Sequence, residues 1–349
     1  MADYIPILNL TRGTTVESLH YGAATVVDSS GRLLASVGNP YLVTFLRSAA
    51  KPFQLLPFIE RGGARRFGLL PREISQMCAS HAGADMHAEA VRGILTKIGI
   101  NESYLQCGVH PPIDKATAER LLLEGKEPTP IRHNCSGKHT GMLAHAKMRD
   151  MPLETYLDTE HPLQKEILTV FAEMCAIPSA EIRLGIDGCS APNFAIPLYN
   201  AALGFARLCD PHDLSENRAQ ACETITSAMM THPEMVSGYG RFDTRLMQVG
   251  GGKIIVKGGA EGYQCVGLMP GATGASSPGV GIALKISDGD AKGRVRPAVI
   301  LEILRQLGVL NEAQMADLAE FGPKRTILNW RKLVIGESYP SFTLKSRDD

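Results

Sequence analysis

Apolar positions recur along this chain with two different periods. Pro52, Leu55, Leu56 and Ile59 fall at i, i+3, i+4 and i+7, the spacing of one buried helical face. The same spacing joins Val91, Ile94, Leu95 and Ile98, then Ile167, Val170, Phe171 and Met174, and finally Ile300, Ile303, Leu304 and Leu307. By contrast "AATVVDSSGRLLASVG" reads as two short strands joined at Asp28 to Gly31, residues that tolerate a tight turn. Near the other end "GGGKIIVKGG", "YQCVGLM" and "GVGIALKISDGD" are short β-branched or apolar runs punctuated by glycine, and strands are predicted there too.

Strands at both chain ends with helices between predict an α+β protein, its sheet built from both ends with a mainly helical part inserted. The expected division is residues 1–70 plus 236–349 for the sheet-containing α/β domain and 71–235 for the mainly helical domain. No internal repeat, low-complexity tract or linker interrupts this pattern.

Composition narrows the partners. The 349 residues suffice for two domains, or for one large domain with an insertion, and 36 basic residues cancel 36 acidic ones. No polybasic run or aromatic-studded basic stripe is present to follow a phosphate backbone, which argues against nucleic acid. "MADYIPILNLTRGTT" carries an acidic residue and a short apolar run, unlike a secretory signal, and no stretch is long enough to span a bilayer. A cytoplasmic protein without a membrane partner is expected. Its eight cysteines then read as thiols or metal ligands rather than a disulfide framework.

Chemistry enters at "RSAAKPFQ". If a helix starts near Ser48, Pro52 lies in its first turn, where a missing N–H costs least, and Gly62 and Gly63 close its far end. Residues three apart on a helix have Cβ atoms about 5–6 Å apart, so Lys51 can reach the Ser48 hydroxyl. A lysine that is to take up a proton must first lose its own, which burial and a second cation both favour. Lys257 in "VKGGAEG" is the candidate cation. Serine acyl-enzymes of the β-lactamase class carry S-x-x-K, then S-D-N, then K-T-G. This chain offers a variant in the same order: Ser48-Ala-Ala-Lys51, Ser80-His81-Ala82, and Lys257-Gly258-Gly259. Taken singly, Ser80 also reads as a helix cap and Lys257 as a solvated strand end.

Together with "GNP" and "RSAAKP" around Ser48, "MCASH" ending at His81, "NCSGKHTGML" from Asn134, "DGC" from Asp187, "HPEMVSG" from His232 and the segment at Lys257, these stretches resemble one family. It is the bacterial asparaginases of the Rhizobium etli type, the asparaginase II family, and the likeness runs along most of the chain. The resemblance implies a fold similar to serine β-lactamases and glutaminases, a homodimer, and hydrolysis of L-asparagine to aspartate and ammonia. It also implies two serine–lysine pairs, Ser48 with Lys51 and Ser80 with Lys257. In that scheme Ser48 attacks the side-chain amide, Lys51 accepts its proton and Ser80 relays protons to the leaving ammonia. The Ser48 N–H and one N–H beyond Lys257 are expected to hold the oxyanion.

"NCSGKHTGML" is not a phosphate-binding loop, because G-x-x-x-x-G-K-[ST] needs glycine where Arg132 stands and Ser or Thr where His139 stands. Spacing alone suggests zinc held by Cys135, His139 and Cys189. The family resemblance implies instead Cys135, Lys138 and Cys189 with water, and leaves His139 at the substrate site or beside the ligands. Buried cysteines that bind nothing are the alternative. A small amino acid must be held at both charged ends, and Asp187 suits its ammonium and Arg47 its carboxylate. A structural ion pair at Arg47 and a turn residue at Asp187 are the plainer readings. Alternatives for the whole are a serine amidohydrolase acting on glutamine or a β-lactam, a binding protein acylated without turnover, and a zinc hydrolase whose metal-bound water is the nucleophile.

Overall fold

A computed structural model of the chain describes residues 2–346. The strands are β1 (Ile5–Arg12), β2 (Thr15–Asp28), β3 (Leu33–Val37), β4 (Val43–Phe45), β5 (Arg183–Ile186), β6 (Pro192–Pro197), β7 (Ile254–Gly258), β8 (Tyr263–Leu268), β9 (Val280–Ile286), β10 (Arg325–Leu328), β11 (Val334–Pro340) and β12 (Lys345–Ser346). The helices are α1 (Lys51–Glu60), α2 (Gly63–Arg66), α3 (Pro71–Met77), α4 (Asp85–Ile98), α5 (Lys115–Leu123), α6 (Ser136–Met148), α7 (Pro162–Met174), α8 (Leu198–Cys209), α9 (Glu216–Thr231), α10 (Pro233–Val236), α11 (Phe242–Val249), α12 (Val295–Gln306) and α13 (Glu312–Asp317). The class is α+β, as the alternation of strand-rich ends and a helical middle predicts. Among the described residues no helix is long and apolar enough to cross a membrane.

The chain forms two compact units. The first comprises the residues up to Leu46, Ile196–Asp210, and those from Arg245 onward. Its antiparallel sheet runs β10-β11-β1-β2-β9-β8-β7, with β3 paired to β2 and β12 to β3. Both ends of the chain therefore supply strands. The interior strand β9 is buried at every position, which a sheet covered on both faces requires, and α8 and α12 both pack on it. The backbone of α8 presses so closely on β9 that a Cβ at Gly281 would stand 1.8 Å from the Ala202 carbonyl oxygen. Glycine in "GVGIAL" thus admits the helix.

The second unit, Arg47–Ala195 with Pro211–Thr244, is mainly helical. Here α1 packs on α6, α7 and α9, and α3 on α4, α6 and α9, burying Phe53, Leu55, Leu56, Phe58 and Ile59 of α1. Relative to the expected division, residues 47–70 sit with the helices, because α1 buries its apolar face on them. The segment 196–210 sits with the sheet, because α8 covers β9, β8 and β2. β5 and β6 form an antiparallel pair in which Gly185 stands opposite Asn193.

Candidate active site

Within the helical unit the chain enters α1 through one 3-10 turn, Arg47–Ala50, which carries Ser48 half-buried. Lys51 opens α1, and Pro52 follows inside the first turn, as the missing N–H requires. The lysine is 2% exposed. Its Nζ donates to the Ala79 carbonyl at 2.5 Å, to Ser80 Oγ at 3.0 Å and to Cys135 Sγ at 3.2 Å. An ammonium has three protons, and all three are committed. The expected contact of Lys51 with the Ser48 hydroxyl is therefore not among its bonds; the amine serves Ser80.

The loop after α3 is pinned where Ser80 lies. Its own N–H donates to the Val236 carbonyl at 2.8 Å and that of His81 to the Asn134 carbonyl at 3.1 Å. His81 Nδ1 accepts the Gly83 N–H at 3.1 Å, so its proton is on Nε2, which donates to Ser136 Oγ at 2.9 Å. Burial, aided by the His87 and Lys51 charges, holds this imidazole well below its ordinary pKa. His81 is thus a fixed neutral donor.

The segment "NCSGKHTGML" becomes the start of α6. A Cβ at Gly137 would lie 2.0 Å from the Gln76 carbonyl oxygen, and one at Gly141 would lie 3.2 Å from Leu55 Cδ1. The two glycines let α6 settle against α3 and α1, and this brings Cys135 and Lys138 under Lys51. Lys138 Nζ donates to Cys189 Sγ at 2.8 Å. The Cys189 thiol bonded to Cys135, with the Lys51 and Lys138 charges, holds the Cys135 thiol well below its usual value although burial pushes it up. Burial works to lower Lys138, but Cys189 and Cys135 outweigh it and the amine is held above its ordinary value. Two buried cysteines and one buried lysine form one coupled cluster.

His139 is turned to a different task from the one its spacing suggests. The Gln106 N–H donates to Tyr156 Oη at 3.1 Å, and that hydroxyl lies 2.6 Å from His139 Nδ1. Burial, with the Lys138 charge beside it, pushes His139 down to about 4. His139 and Cys135 each hydrogen-bond Cys189, yet among the described residues no group of three His, Cys, Asp or Glu side chains is placed to hold a metal.

Asp187 and Cys189 occupy the turn between β5 and β6, which the Asp187 N–H closes on the Ala191 carbonyl at 2.9 Å. Arg47 donates to Asp187 Oδ1 from Nε at 2.9 Å and from Nη2 at 2.8 Å, and the Gly188 N–H reaches the same oxygen at 2.8 Å. Among the described residues no hydrogen bond goes to Oδ2. Burial raises this carboxyl, but the Arg47 guanidinium outweighs it and holds the pKa below the usual value. Arg47 and Asp187 are thus joined to each other through one carboxylate oxygen.

A family model for L-asparaginase II matches residues 8–340. The chain belongs to the L-asparaginase II family. It is an amidohydrolase by that membership. No curated protein sequence matches it. Among solved structures it is similar to Mglu, with 14% identity over 82% of this chain and 67% of that one and a TM-score of 0.45. A probable glutaminase from Bacillus subtilis complexed with 6-diazo-5-oxo-L-norleucine is 13% identical over 82% of this chain and 84% of that one, with a TM-score of 0.37. A Bacillus glutaminase in 4.3 M NaCl is 12% identical over 82% and 91%, with a TM-score of 0.38.

Of the expected site residues of this L-asparaginase II family member, Arg47, Ser48, Lys51, Ser80, Cys135, Lys138, His139, Asp187 and Cys189 lie in the helical unit. Lys257 lies in the sheet unit, fully buried on β7 opposite Cys265, its Nζ donating to the Gly258 carbonyl at 2.7 Å. It is not a solvated strand end. Sequence reasoning passed over Tyr156, which orients His139, and Asn193, which accepts the Arg47 N–H. Both are isolated polar residues outside the motif segments, and no spacing signal marks them.

Proposed function

We propose that this chain is an L-asparagine amidohydrolase of the Rhizobium etli type that works through an acyl-Ser48 intermediate. The observation that carries the reading is Lys51, buried three residues after Ser48 with its Nζ 3.0 Å from Ser80 Oγ. Bonded to Ser80 in this arrangement and three residues from Ser48 along the chain, the amine would turn from one hydroxyl to the other during the reaction.

Ser48 Oγ attacks the carboxamide carbon, and its proton passes to the neutral form of Lys51. The resulting oxyanion takes hydrogen bonds from backbone N–H groups, for which Ser48 at the helix entrance is a candidate. Ser80 then relays a proton from Lys51 to the amide nitrogen, the C–N bond breaks and ammonia leaves. Water attacks the aspartyl ester, returns the proton to Ser48 and releases L-aspartate. The adjacent opposite charges of Arg47 and Asp187 match the adjacent carboxylate and ammonium of a zwitterionic amino acid, with Asp187 Oδ2 receiving the ammonium. The role the family motif assigns to Lys257 stays with it as part of this proposal.

The donors Cys135 Sγ, Cys189 Sγ and Lys138 Nζ suit a thiophilic divalent ion such as zinc, because two thiols and an amine already meet at hydrogen-bond distance in a buried cluster. These three residues would hold it. Zinc bound there would supply a fixed positive charge for orienting a polar ligand. The amine of Lys138 would have to give up its proton to bind, which makes occupancy favoured by rising pH.

The test is ammonia release from L-asparagine and from L-glutamine by the wild-type protein and by Ser48→Ala. Turnover confined to asparagine, falling by about 10³-fold or more in the variant, is expected. Turnover surviving in Ser48→Ala would remove Ser48 as nucleophile and favour metal-bound water; no turnover by the wild type would leave an acylated binder.

A further inference from the structure

The backbone immediately before Ser48 is held in an uncommon shape. Arg47 has φ +51°, in the left-handed region that side chains other than glycine disfavour. Its N–H donates to Asn193 Oδ1 at 3.1 Å, and the same oxygen accepts the Phe194 N–H at 2.9 Å. Both neighbours are N–H donors, so the oxygen end of this amide must face them, and its orientation is dictated. Asn193 is 4% exposed and sits on β6 opposite Gly185 of β5, on a paired strand rather than a free loop. At the turn of the same hairpin Asp187 holds the Arg47 guanidinium. Arg47 is therefore gripped twice, by its backbone and by its side chain.

We propose that Asn193 is a positioning residue: by accepting the Arg47 N–H it holds Arg47 in the left-handed conformation and so aims Ser48. A return of φ from +51° to the ordinary negative range would redirect the peptide that follows, and Ser48 is the next residue. A misplacement of about 1 Å can cost about 10²-fold in rate. Asn193 touches neither substrate nor reacting atoms in this scheme; it acts through Arg47. The inference rests on the reading of Ser48 as the nucleophile.

The experiment compares Asn193→Ala and Asn193→Asp in the wild-type and Arg47→Gly backgrounds. Asn193→Ala should lower kcat on L-asparagine by about 30-fold or more with KM within about three-fold, since the loss is in transition-state geometry. Asn193→Asp keeps an acceptor in place and should stay within about five-fold of the wild type. Glycine adopts positive φ without strain, so adding Asn193→Ala to Arg47→Gly should cost no more than about three-fold further in kcat. Hydrogen exchange at the residue 47 amide supplies a readout that needs no turnover: faster in Asn193→Ala, slow in Asn193→Asp. Wild-type kcat in Asn193→Ala, or an equal loss in both backgrounds, overturns the proposal, the latter because a merely structural residue would act regardless of what stands at position 47. If the wild type hydrolyses neither amide, the Ser48 reading fails instead, and the exchange contrast alone decides whether Asn193 holds Arg47.

Discussion

Asp187→Asn replaces one carboxylate oxygen with an amide NH2 and leaves the side-chain volume almost unchanged. In the folded chain three donors converge on Oδ1: Arg47 Nε at 2.9 Å, Arg47 Nη2 at 2.8 Å and the Gly188 N–H at 2.8 Å. The single oxygen of asparagine must take that place, which puts the NH2 where Oδ2 stood. Oδ2 is the atom assigned to the substrate ammonium, so the variant points N–H donors at a cation. Losing a hydrogen bond to a charged group costs about 1.5–3 kcal/mol, or about 10- to 150-fold in affinity. The side chain is 14% exposed, so water screens the loss only in part. KM for L-asparagine should therefore rise by about 10- to 150-fold while kcat stays within about three-fold, the signature of binding lost equally from ground and transition states. Steady-state ammonia release across a wide substrate range measures both constants. A KM within about two-fold of the wild type, or a fall in kcat alone, would refute the assignment of Oδ2.

The metal proposal has a readout separate from turnover. Cys189→Ser should bind less than about a tenth of the zinc that the wild type retains after dialysis, because removing a thiolate ligand weakens a soft-ion site by orders of magnitude; full retention measured by elemental analysis would dismiss Cys189 as a ligand. A second expectation concerns acid stability. Burial pushes His145 down to about 4, against the opposing Glu166 carboxylate, with the Arg61 and Arg149 charges adding to the depression. Its side chain is 1% exposed, with Nε2 3.4 Å from Glu166 Oε2. The unfolded chain binds this proton from about pH 6.5 downward and the folded chain only near 4. The stabilising contribution is thus whole above about pH 6.5 and is lost as pH falls toward 4, amounting to about 2 kcal/mol at pH 5. Chemical denaturation at pH 7 and pH 5 should show that loss reduced in His145→Leu; an undiminished loss in the variant would show that other groups carry it.

Much of the architecture was legible because its signals are local. The four helical faces read from the spacing of apolar residues lie on α1, α4, α7 and α12, and the predicted hairpin is the end of β2 with β3. The strands that escaped lack a usable pattern. In β5, "RLGI", and β10, "RTIL", exposed positions predominate, so no alternation of buried and exposed residues exists to be read. In β1 Pro6 breaks the run. At the site, the motif segments marked residues that meet in space, but they did not predict the partner of Lys51. The i, i+3 rule fixes how far apart two Cβ atoms lie; it does not fix where the tip of a four-carbon chain goes. That was decided by acceptors supplied from the 79–80 segment and from Cys135, which are distant in sequence.

The same distinction explains the β5–β6 hairpin, whose importance no local signal carries. Asp187, Cys189 and Asn193 follow one another at short intervals, yet each reaches a different part of the site: the Arg47 side chain, Lys138 and the Arg47 backbone. The turn that places Asp187 opposite Arg47 also fixes the height of Cys189 above Lys138, because the Asp187 N–H closes that turn on Ala191. The ion pair beside the nucleophile and the thiol–amine cluster beneath Lys51 therefore share one rigid support. Residues within one such network do not contribute independently. Substitutions at 187, 189 and 193 are accordingly best compared as double variants, in which a shortfall from additivity measures how strongly the hairpin couples the thiol–amine cluster to the presentation of Ser48.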